Sequence, residues 1–158
     1  MIEVQVDDAE LTAALERLSR TYADSQSAFQ DAGELLMQST KKRFKDKTAP
    51  DGSPWPANAP ITEAAKGKNN PLVGESKRLG REIHYRARDN LLEIGSPLEY
   101  AAAQHFGARR GAFGSTAQGR PIPWGNIPPR AFLGLSDDDR KGVLQVMEEH
   151  VRGLWDLR

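Results

Sequence analysis

Leu11, Leu15, Leu18, Tyr22, Phe29, Ala32, Leu36 and Phe44 recur at spacings of three, four or small multiples of them. That period sets them on one face of an α-helix running from about residue 8 to residue 46, a face that must lie against a core. Asp24, Ser25 and Ser27 are weak helix formers inside the run and mark where it would bend or break; one long helix is expected. Asp7 and Asp8 stand ahead of it as a cap and as charge the helix dipole favours, and Ile2, Val4 and Val6 alternate with Glu3 and Gln5 as a short strand would. A chain of 158 residues holds a single domain, here residues 1–158, with a modest core.

The helix ends in KKRFKDK, where cations suit the negative end of the dipole. The next stretch, TAPDGSPWPANAP, surrounds Trp55 with Pro50, Asp51, Gly52, Pro54, Pro56 and Pro60. Prolines fix the backbone and a tryptophan is a large rigid apolar body. The loop therefore reads as a structural anchor that fixes the helix end against the sheet or a neighbouring subunit. A polar crossing punctuated by Asn69, Asn70, Pro71 and Gly74 follows, with a helical turn near Ser76 to Leu79. In REIHYRARDNLLEIGS, Ile83, Tyr85 and Ala87 alternate with His84, Arg86 and Arg88, Asp89 and Asn90 offer a turn, and Leu92 and Ile94 return on the same face, which is a β-hairpin. PLEYAAAQHFG predicts a short helix opened by Pro97 and stopped by Gly107, with Tyr100, Ala103 and Phe106 on one side.

Residues 107–129 carry five glycines, four prolines and three arginines, Arg109, Arg110 and Arg120, with no acid. Lacking an apolar repeat, this is expected to be a long flexible loop, mobile over about 107–126, with Trp124 in PIPWGNIPP repeating the anchor device at its edge. RAFLGLS is apolar enough for a strand. Ser136, followed by Asp137, Asp138 and Asp139, is a capping signal, with an acid three residues after the serine, and Val143, Met147, Val151 and Leu154 form the stripe of a final helix. The fold class is thus α+β, with the N-terminal and C-terminal helices packed on a small antiparallel sheet.

Residues for chemistry are sparse. Cysteine is absent, which removes disulfides, thiolate metal sites and thiol nucleophiles and suits a reducing compartment. His84, His105 and His150 fall in separate elements without metal-ligand spacing, and no catalytic motif occurs, so no catalytic, metal or cofactor residue is assigned. Lysine plus arginine equals aspartate plus glutamate, at 22 each, so any electrostatic role is local. The acidic start is no signal peptide and no apolar run would span a membrane, so a soluble protein is expected. Two basic features offer contacts. Lys41, Lys42, Arg43 and Lys45, joined with the loop arginines, would suit nucleic acid. Arg109, Arg110 and Arg120 would alternatively meet a neighbouring subunit, with Asp137, Asp138 and Asp139 as the densest acidic receiver.

The order of landmarks, PDGSPW, then GESKRL, HYRARDNLLEIGS, YAAAQHFG and IPPRAFLGLSDDD before a terminal helix, resembles the phage virion morphogenesis family, or tail completion proteins, of Mu-like tailed phages. The resemblance spans about residues 8–155. It implies a non-enzymatic assembly protein of a phage or prophage, acting in tail completion or head–tail joining. It further implies a subunit of an oligomeric ring, assembled in the host bacterial cytoplasm and present in the virion, with other tail or neck proteins as partners and no cofactor.

Overall fold

The computed structural model describes residues 26–66, 70–74, 76–88 and 91–155, together with Ala9, Thr12 and Ala13, all three in helical backbone. The expected first strand, the cap at Asp7 and Asp8, all four stripe residues before residue 26, the bend at Asp24 and Ser25 and the Asp89–Asn90 turn lie outside these residues.

Helix α1, Gln26–Asp46, buries Ala28, Phe29, Ala32, Gly33, Leu36, Thr40, Arg43 and Phe44, the stripe expected for its second half. It is followed by α2 (Pro60–Lys66), the single turn α3 (Arg78–Arg81), strands β1 (His84–Arg88) and β2 (Leu91–Gly95), α4 (Ala101–Phe106) and α5 (Asp137–Trp155). The two strands pair antiparallel, from His84 with Gly95 to Arg88 with Leu91. A two-stranded ribbon is barely stable by itself in water. Here α1 lies across it, and Gly33 lets the two meet: a Cβ at that position would stand 2.3 Å from the Tyr85 ring. Helix α5 packs on the flank of α1 through Val143 and Met147, which join Ala28, Ala32 and Leu36 with Leu92 and Ile94 of β2 at the edge.

A second apolar cluster sits at the C-terminal end of α1. Phe44, Trp55, Leu79, Ile83, Ala101, Phe132 and Leu133 form it, with Ile94 also touching it and so joining the two clusters. Each fully buried side chain of Phe132 or Ile83 size contributes about 1.5–3 kcal/mol by leaving water.

Three expectations need correction. RAFLGLS is not a strand: residues 130–136 form no regular element. The short helix begins at Ala101, after Pro97, and buries Ala101 and His105, while Tyr100 and Phe106 face water. Its buried pair is spaced four apart, as on any helix face, but a histidine and an alanine do not read as an apolar stripe. Within the polar crossing, residues 60–66 form α2, with Pro60 at its first position.

Candidate assembly surface

PDGSPW folds into a closed turn directly after α1. Lys47 takes a left-handed conformation, φ 59°. Ala49 N–H then donates to Ser53 O at 2.8 Å, and Trp55 N–H to Lys47 O at 2.8 Å. The Asp51 carboxylate accepts from Ser53 N–H and hydroxyl at 2.9 and 2.6 Å, and these two bonds hold its pKa below the usual carboxylate value. The turn delivers Trp55 edge-on to Phe44, ring centres 5.3 Å apart, and its indole N–H donates to Ala131 O at 2.8 Å.

Ala131 belongs to the segment expected as a strand, and here the reason it is not one becomes visible. Its backbone partners are mostly side chains from distant parts of the chain. Arg43 Nη1 donates to the carbonyls of Phe132 and Gly134, both at 3.0 Å. The N–H of Phe132 reaches His105 Nδ1 at 3.3 Å, with Leu133 N–H at 3.5 Å. Arg130 N–H donates to Gln104 and His105 carbonyls, and its guanidinium turns back to Pro56 O and Ala57 O at 2.8 and 2.7 Å. Burial lowers the pKa of both Arg130 and His105; for His105 this favours the neutral ring whose Nδ1 can accept.

Arg43 also pairs, through Nη2, with Asp139. Asp139 completes a capping box, accepting from Ser136 N–H at 2.9 Å while its own N–H donates to Ser136 Oγ at 3.1 Å. Burial pulls the Arg43 pKa down and Asp139 draws it back up. Both residues must therefore be withdrawn from the contact surface expected of them. Arg43 is 6% exposed and Asp139 3%, and their charges answer each other. With Arg43 turned inward, the 41–47 run loses one of the four cations that a nucleic-acid reading uses, while Lys42, beside Asp46 at 3.9 Å, stays exposed.

The glycine-rich segment leaves the body as an arm. Ala108 and Ile127 exchange both backbone hydrogen bonds at its root, 3.0 and 2.7 Å. Further out, Gly111 N–H reaches Pro123 O, Phe113 N–H reaches Ile122 O, Ile122 N–H reaches Gly114 O and Thr116 N–H reaches Arg120 O, all within 3.0 Å. Arg110 N–H adds a bond to Asn126 Oδ1 at 2.9 Å. As expected, no core element forms here. The sequence did not show the cross-linking, an irregular hairpin in which glycines 111, 114 and 119 take positive φ.

Arg109, Arg110 and Arg120 are exposed on this arm. So is Trp124, at 70%, which is therefore no anchor within its own chain. Phe113 and Ile122 join it, along with Tyr100 and Phe106 at the arm's base. Sequence reasoning missed these four as surface residues. No local signal finds them: Tyr100 and Phe106 stand at helix spacing from Ala103, and Ile122 alternates with Trp124, so spacing alone does not tell exposure from burial.

Asp137 and Asp138 are exposed in the first turn of α5. With Asp51 they rim a groove of about 740 Å³ that is floored by Ala49, Pro50, Ala131 and Leu135. No arm residue of the same chain lines it. Among the described residues no cluster of histidine, aspartate and glutamate is placed to hold a metal ion, and no helix is long and apolar enough to cross a membrane.

These features find a common setting in comparison with known proteins. The model of the phage virion morphogenesis family matches residues 6–152, nearly the whole chain. The chain belongs to the phage virion morphogenesis family, which gives it a structural or assembly role in building a bacteriophage particle. No curated protein and no solved structure matches it.

Proposed function

We propose that the protein is a non-enzymatic component of tail completion or of head–tail joining, working as a subunit of a ring, assembled in the host bacterial cytoplasm and carried in the virion. The observation that supports this most directly is the arm. A cross-linked hairpin presenting Phe113, Ile122 and Trp124 to water is a poor way to stabilise one chain and a good way to hold two together, because rigid aromatics bury large areas on contact with little entropy left to lose. Tail or neck proteins and further copies of the chain are the partners this reading calls for.

Deletion of the gene from the phage or prophage that carries it tests the proposal, with particles counted by electron microscopy. The expected result is separate heads and tails, with joined particles restored by the wild-type chain supplied in trans. Joined, infectious particles at full yield without the gene would reject it.

A further inference from the structure

Building on that assembly role, we propose that the arm of one copy seats in the acidic groove of the next, with Trp124 and Phe113 against its apolar floor and Arg109, Arg110 and Arg120 against Asp51, Asp137 and Asp138. Three observations meet here. Of the large apolar side chains that stand exposed among the described residues, Tyr100, Phe106, Phe113, Ile122 and Trp124 all fall on the arm or its base, and Leu91 alone lies elsewhere. Scattered exposed apolar residues are ordinary, whereas a concentration of them marks a contact.

Charge supplies the second. Between Glu99 and Asp137 the chain has arginines and no acid, and Arg130 is turned into the body, which leaves the three arm arginines as a cationic surface. The groove has the opposite character, an acidic rim around an apolar floor, with about 740 Å³ to fill. The groove is shallow and open to solvent, a shape that meets a protruding segment of a facing surface rather than enclosing a small ligand. Because the whole chain is neutral, two copies meet without net repulsion and the local charges set their orientation.

The third is topological. Folding has used Asp139 and left Asp137 and Asp138 at the surface, and the arm does not line the groove of its own chain. A contact joining two different surfaces of identical chains repeats head to tail, and closes into a ring when the rotation allows.

Sedimentation velocity over a concentration series, at low salt and at about 0.5 M salt, tests this. Wild type is expected to self-associate, less strongly at high salt. The triple variant Arg109→Glu, Arg110→Glu, Arg120→Glu and the double variant Asp137→Lys, Asp138→Lys should each lower the association constant on the order of 100-fold. Mixed together the two should co-assemble, since each then meets its complement at both surfaces. The pair Asp137→Asn, Asp138→Asn removes the two charges and leaves the Ser136–Asp139 capping box in place, and should weaken association without changing the circular dichroism spectrum. A wild type that stays monomeric at its highest soluble concentration overturns the proposal, as does a charge-swapped mixture that stays monomeric or a folded Asn pair that associates normally. So does arm-dependent binding of a DNA duplex by a monomer. Complementation separates the two readings: if the arm variants fail to complete particles while self-association is unaffected, the assembly role stands and the arm grips another virion protein.

Discussion

Trp55 and Trp124 occupy stretches of nearly the same chemistry, PDGSPWPAN and GRPIPWGNI, and meet opposite fates. The first is 6% exposed and the second 70%. Both stretches are tied by short-range backbone bonds, so local order does not separate them. What separates them is the rest of the chain. Trp55 leaves its turn beside Phe44 at the end of α1 and finds a carbonyl from residue 131, whereas the residues flanking Trp124 bond within their own hairpin. Proline and glycine make a tryptophan rigid; only a distant partner makes it an internal anchor.

The same contrast holds for charge. Arg43 and Arg109 are both arginines in basic clusters, yet Arg43 joins α1, the 132–134 backbone and the start of α5, and Arg109 stands in water. Removing one member of a buried pair strands the other, so Asp139→Ala should cost about 3–5 kcal/mol in urea denaturation, and Asp137→Ala less than about 1. Equal costs would erase the distinction between the acid that folds the chain and those left for contact.

Next in size, Trp55→Ala should lower stability by roughly 3 kcal/mol, the scale of emptying a buried aromatic site, and Trp124→Ala should stay within about 0.5. A Trp124 variant as unstable as the Trp55 one would show that the arm belongs to the core after all.

A smaller effect distinguishes the two regions by pH. His105 accepts at Nδ1 from the body's backbone and its pKa is lowered by burial, so the unfolded chain binds the proton more readily than the folded one. Its contribution is whole above the usual imidazole value, about 6.5, and is lost as pH falls below that value toward the folded one. His105→Gln, with an amide oxygen in place of Nδ1, should flatten the pH dependence of the unfolding free energy below about pH 6.5. An unchanged slope would remove His105 from the argument. The smallest effect is the arm's own: replacing Arg109, Arg110 and Arg120 with serine should move the denaturation midpoint negligibly, while limited proteolysis of the isolated protein should still cut within 107–126 before the hairpin.

Much of the body was legible in the sequence because its signals are local. The β1–β2 hairpin, the described half of the first stripe, and the final helix with its serine-led capping box follow from periods and offsets of a few residues. The box singles out Asp139, three residues after Ser136, as the capping acid; its burial against Arg43, 96 positions away, was not legible, and it was grouped with Asp137 and Asp138 as a contact. Residues 131–134 were illegible for the opposite reason: their partners Arg43, Trp55 and His105 lie from 27 to 91 positions away, and apolar composition alone suggested a strand. The arm's exposed aromatics escaped notice because burial, unlike helicity, depends on partners that a single stretch does not contain.

Gly107, at the root of the arm, has φ 79°, and a Cβ there would stand 2.7 Å from Ile127 O and 2.9 Å from Pro129 N. The take-off direction of the hairpin is therefore set at one crowded point, while at Gly119, near its tip, a Cβ would meet nothing within 4 Å. Length and direction are thus controlled by different residues. Residues inserted between Thr116 and Arg120 should lengthen the arm at little entropic cost while the paired bonds of Ala108 and Ile127 hold the root, so that reach changes and bearing does not.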